Sequence, residues 1–374
     1  MNNLNDRLQY HIKHTPYFDI MNQFMMEFAI RKDAGEENIF DTHYAPLMRK
    51  GGLKFLDAVV GGNSPCLTNC QDNIVLGAMS LIDMLLEEEK VSKELRILRS
   101  YRDIEKCIED NKLGIFMKFE GARALTGKAD EHDLSTLRSF YRLGLRGCCL
   151  LSSGRTSFGD GPGEKAAARD GRGGKLTNLG VKAIQEMDKL GMVIDTAHML
   201  DRVFFDVAEV STKPLINSHT CISGVVDHGR NISDERVKAI AKSNGVMGIT
   251  TLKGFVKGKV SHFNDERVTV DDFVKHINYV ADLLGTVDNI AIGSDNDEFP
   301  LVSNVHRAWS PAPGFIEGLE IGVPKGRLIM EDLQHFDDYY KFIDVLIRNN
   351  YSDEDIKKIL GGNIMRVYKE VFVE

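Results

Sequence analysis

Short, continuous apolar runs separated by amphipathic segments recur from one end of this 374-residue chain to the other. A strand buried on both faces reads as an uninterrupted apolar stretch, and regular alternation of such stretches with helices marks β-α units around a parallel sheet. Eight runs stand out: Tyr17 to Phe24, Phe55 to Val60, Gly114 to Phe119, Gly147 to Leu151, Met192 to Ala197, Pro214 to Asn217, Gly245 to Leu252 and Asn289 to Gly293. Helical periodicity fills intervals such as Asn73 to Leu86, Asp133 to Leu143, Leu179 to Leu190, Asp234 to Ser243 and Val270 to Leu284. Several of these open on a capping residue, as at Thr177, Ser233 and Thr269.

Eight strands, most followed by a helix, close naturally into a (β/α)8 TIM barrel. An open doubly wound sheet is disfavoured, because no Gly-x-Gly-x-x-Gly turn follows the first run. The expectation is an α/β fold with residues 1–374 as one barrel domain. Two further helices from about Met330 onward, divided at Asn349 to Asp353, would pack on it as an appendix.

The formal net charge of −8 argues against nucleic acid as a partner, since that needs clustered basic residues. The polar start, Met1 to Arg7, lacks the apolar core of a signal peptide, and no run approaches the ~18 apolar residues that span a bilayer. The six cysteines are sparse, and Cys148 and Cys149 are adjacent within an apolar run, so no disulfide framework is expected. Cys66 and Cys70 have no second pair at zinc-site spacing and read as ordinary thiols. The expected address is the cytoplasm, with no membrane partner.

In such barrels chemistry sits where the strands finish, because side chains there converge on one mouth. The third run ends at Glu120, the fifth at His198, the sixth at His219 and the eighth at Asp295, with Asp297 just beyond. Two neutral imidazoles and a carboxylate suit zinc or a similar divalent ion, and a neighbouring carboxylate can serve as ligand or general base. Each residue alone has an ordinary structural explanation; four of them at the same end of successive β-α units point to a site. Arg230, shortly after the sixth run, has the planar fork to clamp a substrate carboxylate, although a surface guanidinium is the plainer reading of it alone. The Gly-rich, charged loop from Gly159 to Lys175 follows the fourth run and is either a lid or a functionless insertion.

These residues resemble the membrane (renal) dipeptidases, within the metal-dependent, amidohydrolase-like barrels. The similarity spans nearly the whole chain and is strongest in Leu190 to His198, Pro214 to His219, Arg230-Asn231-Ile232, Ile292 to Asp297 and the tail Ile359 to Val367. The resemblance implies a barrel of the metal-dependent hydrolase type, a two-metal centre and hydrolysis of dipeptides, some with a D-residue at the C-terminal position. It implies that Glu120 bridges two zinc ions, that His198 and His219 hold one of them, that Asp295 is the acid/base carboxylate and that Arg230 binds the substrate carboxylate. A homodimer is implied on the same ground alone.

This chain departs from the family at the first strand, where relatives carry Asp-Gly-His-Asn-Asp and use the His and last Asp for the other zinc. Here the residues are Asp19-Ile20-Met21-Asn22-Gln23. Met21 replaces the His and Gln23 the Asp, and neither is a good ligand for a hard or borderline ion. Alternation along a strand would turn Asp19 to the same face, but about 6.6 Å deeper, an unsuitable replacement. Ser152 stands where the family has a substrate-contacting His. The expectation is therefore a dipeptidase-like hydrolase of a small amide or peptide bond with one zinc or similar ion per chain. The alternatives are a conventional dinuclear zinc dipeptidase and a non-catalytic binding or scaffold homologue.

Overall fold

The computed structural model describes residues 4–62, 73–125, 133–152, 156–161, 174–258, 267–296 and 329–372. Among the described residues there are nine strands: β1 (Tyr17–Asn22), β2 (Leu53–Gly62), β3 (Leu95–Ile97), β4 (Leu113–Glu120), β5 (Gly147–Cys149), β6 (Val193–Asp195), β7 (Leu215–Thr220), β8 (Val246–Ile249) and β9 (Ile290–Ile292). All pairings are parallel, in the order β1-β2-β4-β5-β6-β7-β8-β9. The ring closes where Gln23 N donates to Asn296 O (2.8 Å) and Asp295 N to Met21 O (2.9 Å). These eight strands coincide with the eight apolar runs. The ninth, β3, pairs with the first half of β4, while β5 pairs with the second half. At three residues, two of them apolar, β3 is too short to leave a periodic signal.

The predicted helices form as Ile74–Val91, Ser135–Arg142, Asn178–Leu190, Asp234–Lys242 and Val270–Leu284. Their caps are as the sequence suggests: Thr177 accepts from Gly180 N, Ser233 from Arg236 N, and Thr269 forms a capping box with Asp272. Helices Leu4–His14, Met25–Asp33 and Tyr101–Glu109 were not anticipated. The first run also stops at Asn22 rather than Phe24, because Phe24 already caps the helix that starts at Met25.

The barrel interior is layered. At the strand starts, Phe18, Phe55, Phe116, Val193, Ile216 and Val246 form an apolar floor. The last helix, Asn363–Val371, closes this end by laying Tyr368 and the adjoining Phe372 over Phe116, with ring centroids 5.0 and 5.7 Å away. The tail is the two helices expected, Tyr340–Arg348 and a continuous helical run over 353–371 with a π-helical turn at Lys358–Gly362, and the end of the second plugs the barrel. The reason is that an apolar barrel end left open would expose large aromatic rings, each worth about 1.5–3 kcal/mol when buried.

Above the floor lies a buried polar layer of Asp57, Lys118 and Asp195. Burial pushes the Asp57 carboxyl up to about 7, against the pull of Lys118 and of the Tyr368 hydroxyl that donates to it. The same carboxyl in the unfolded chain ionises near 3.8, so between about pH 4 and 7 the folded state binds more protons. The Asp57 contribution to stability is therefore expected to fall as pH rises through that window. Because buried histidines act in the opposite sense, the measure is the difference: the urea midpoint of the wild type relative to Asp57→Asn, recorded with chelator present, should fall as pH rises from about 4 to 7. Parallel profiles of the two proteins would exclude that contribution.

Candidate metal centre

Above the polar layer, side chains at the strand C-termini converge. Glu120 ends β4, His219 lies within β7, and His198 is three residues beyond β6. Asp195 sets both imidazoles. Its Oδ2 pairs with Lys118 Nζ at 2.6 Å, with both side chains about 1% exposed. Its Oδ1 accepts from the backbone of Ala197 and of Ser218, each at 3.0 Å. Those amides immediately precede His198 and His219, so one carboxylate fixes the direction of both ligand-bearing segments. Arg236 holds the first segment from the other side, donating to Met199 O (2.9 Å) and Thr196 O (3.2 Å). The second segment needs room: a Cβ at Gly293 or Gly248 would come within 1.7 or 2.1 Å of Ser218 O. Neither Lys118 nor Asp195 entered the expected site, although a lysine inside the apolar run Gly114 to Phe119 was the available signal.

His198 Nε2 lies 2.7 Å and His219 Nε2 3.8 Å from Glu120 Oε1. The two Nε2 atoms are themselves 2.8 Å apart. Burial lowers the pKa of both rings; the Arg230 charge adds to this at His198, and His198 and Arg230 at His219. Burial works to raise the Glu120 carboxyl, but its bonds and attraction to His198, with His219 and Gln23, hold it well below the usual carboxylate range. Neutral imidazoles and an ionised carboxylate are the forms that bind a metal. Six residues have positive φ without being glycine, among the described ones. Five are asparagine or aspartate, which tolerate this region; the sixth is His198 (φ 60°). Strain of this kind gathers at functional sites, and His198 stands in this cluster.

The donor set fits a divalent ion. Two neutral imidazoles facing each other across 2.8 Å have one hydrogen to share at most, whereas a cation satisfies both lone pairs and the carboxylate together. His219 Nδ1 is bonded to Ser218 Oγ at 2.9 Å, the outer support that a ligating imidazole needs. His198 Nδ1 is buried and has no such partner among the described residues.

Comparison with known proteins gives the same direction. The family profile described as Membrane dipeptidase (Peptidase family M19) matches residues 6–321 and 322–373. The chain belongs to the membrane dipeptidase family. It is a dipeptidase-family metallohydrolase. An uncharacterized Klebsiella pneumoniae protein from the pqqA 5′ region is 27% identical over 299 residues, covering 78% of this chain and 97% of that one. Dipeptidase tcpJ of Claviceps purpurea is 25% identical over 283 residues, 76% of this chain but only 57% of its own length. Among solved structures, dipeptidase AC superposes with a TM-score of 0.76 at 20% identity, covering 96% of this chain and 99% of its own. A Rhodobacter sphaeroides metallopeptidase liganded with a phosphinate mimic of L-Ala-D-Ala gives 0.75 at 21% identity, covering 96% and 100%. At these identities the superpositions speak to the fold.

At the first strand, the residues standing where the resemblance implies metal ligands are engaged within the protein. Met21 is fully buried and packs with Val59 and Met26. Gln23 turns its amide nitrogen to Glu120 Oε2 at 2.8 Å and to Asp295 Oδ1 at 3.2 Å. Asp19 does not share their face as simple alternation predicts. The β1–β2 register shifts between Asp19 and Asn22, and Phe18 and Ile20 point into the floor. The Asp19 carboxylate faces the other way, accepting from Ser294 N (2.8 Å), Ser294 Oγ (2.5 Å), Asn22 Nδ2 (3.0 Å) and Tyr339 OH (2.8 Å). Its oxygens are fully engaged in closing the barrel.

Arg230 lies beside the centre, with Nη2 3.2 Å from His219 Nε2 and the guanidinium 5.4 Å from the Phe255 ring centroid. A small cavity opens there, lined by His198, Asn217, His219, Arg230 and Arg236 among others. Ser152 is half-buried, three residues beyond β5. Asp297, Cys66, Cys70 and most of the Gly-rich loop lie outside the described residues.

Proposed function

We propose that this chain hydrolyses small amides, dipeptides among them, with one divalent ion, zinc or a similar metal, held by Glu120, His198 and His219. The observation that carries the single-ion reading is the Gln23 amide, bridging Glu120 and Asp295 from one nitrogen. Facing two carboxylates, that nitrogen presents its hydrogens, which supports a neutral donor rather than a second cation between them. When bound, the ion would supply Lewis-acid polarisation of a carbonyl and acidify water.

The remaining work falls to the chain. Asp295, oriented by Gln23 and by its backbone bond to Met21 O, would accept a proton from the attacking water and pass it to the departing amine. Arg230 would receive a substrate carboxylate through its guanidinium fork, and Ser152 would donate a hydrogen bond to the substrate. Arg230 is half-buried, and its reduced contact with water strengthens that pairing. A relative bound to a mimic of L-Ala-D-Ala makes that dipeptide the first substrate to try. The reading includes a cytoplasmic location, supported by buried free thiols at Cys107, Cys148, Cys149 and Cys221. No described helix is long and apolar enough to cross a membrane.

Metal content tests the proposal. Protein purified without chelator and then given excess zinc should plateau near one ion per chain, and Met21→His/Gln23→Asp should raise the plateau towards two. Two ions in the wild type would favour a conventional dinuclear zinc dipeptidase. No ion in either protein would leave a binding or scaffold homologue.

A further inference from the structure

At the end of the barrel opposite Glu120, a cavity of about 490 Å3 opens beside the starts of β1, β2 and β4. Its walls carry Lys13, His14, Arg49, Lys54 and Lys112, and neither Asp nor Glu. This is a concentration of positive charge in a chain whose formal net charge is −8. Arg49 is already paired with Glu94, outside the walls, and donates to Asn111 O at 2.7 Å. Lys13, Lys54 and Lys112 have no carboxylate partner among the described residues. Lys13 and Arg49 lie in the last turns of helices Leu4–His14 and Ala45–Gly51, where the helix dipole favours a cation. That explanation does not extend to Lys54. It lies in β2, it is half-buried, and burial together with the Arg49 charge lowers its pKa. An unpaired ammonium held in such a place is costly unless an anion meets it. Phe55, Pro16 and Ile108 give the same cavity an apolar side.

We propose that this cavity binds a small soluble phosphate ester, its phosphate between Lys54, Lys112 and Lys13 and its organic part against Phe55 and Ile108. The volume is that of a small-molecule site, and three separate ammonium donors suit a compact oxyanion. The site is independent of the metal centre, which stands at the other mouth of the barrel.

Calorimetric titration of the full-length, metal-loaded protein with inorganic phosphate at low ionic strength tests it. The expected result is saturable binding of one phosphate per chain, tighter for glycerol 3-phosphate, at least tenfold weaker in Lys54→Met and in Lys112→Gln, and unchanged in Glu120→Gln. Lys112→Gln keeps the test usable if Lys54→Met fails to fold. Phosphate binding lost in Glu120→Gln but retained in the lysine variants would put the anion at the metal centre and overturn the proposal. So would an equal response to chloride, the absence of saturable binding at millimolar phosphate, or retention on phosphatidic acid vesicles, which indicates a headgroup instead.

Discussion

Glu120→Gln is expected to abolish stoichiometric metal uptake and to lower kcat/KM on the best amide substrate by more than about 100-fold, beyond the 10- to 100-fold typical of a metal's outer-shell partners. The barrel should still fold. The substitution removes the negative charge of Glu120, which faces both His198 Nε2 and His219 Nε2, and it also removes a charged acceptor from Gln23. A neutral amide has the size of the carboxylate but is a weaker ligand, and its NH2 group can present hydrogens where an oxygen is needed. Metal analysis, kinetics and far-UV circular dichroism on the same preparation check this. Native-like spectra with undiminished metal and turnover would remove Glu120 from the centre and the proposed chemistry with it.

The second large effect lies one layer deeper. Lys118→Met is expected to destabilise the fold by about 3–5 kcal/mol, because it leaves a buried carboxylate without its counter-charge. Asp195 would keep its two backbone bonds but lose the ammonium at 2.6 Å. Burial raises the Asp195 carboxyl, and Lys118 foremost, with His219, brings it down to about 2. The loss should reach the metal centre as well, since Asp195 orients the amides before both histidines. Urea denaturation of Lys118→Met, Asp195→Asn and the double variant forms a double-mutant cycle. The double variant should be clearly more stable than the summed losses predict, because the charges are removed together. Strictly additive losses would mean that the pair is not coupled and that Asp195 is held by its backbone bonds alone.

Much of the architecture was legible in the chain because burial leaves a periodic trace. Strands enclosed on both faces must be continuously apolar, so eight runs were visible, and Thr177, Ser233 and Thr269 marked helix starts through chemistry local to a few residues. That Glu120, His198 and His219 come together was legible for a related reason: a polar, metal-competent residue at the end of an apolar run has few structural uses. The replacement of His and Asp by Met21 and Gln23 was likewise open to reading, since ligand chemistry depends on residue type.

Contacts between residues distant in sequence left no such trace. Alternation turned Asp19 towards the site; the shift in the β1–β2 register turns it outward to Ser294 and Tyr339. Periodicity made the last helix amphipathic without saying what its apolar face covers, and only the ring of strands places Tyr368 against Phe116. Gln23 between Glu120 and Asp295 joins positions 97 and 272 residues apart. Lys118 meets Asp195 from 77 residues away. The sequence alone therefore determined the type and order of the elements and the chemical types at their ends, through burial and local hydrogen bonding. Which of those side chains share a face, a charge or a hydrogen was decided by closure of the barrel, because only closure brings them within bonding distance.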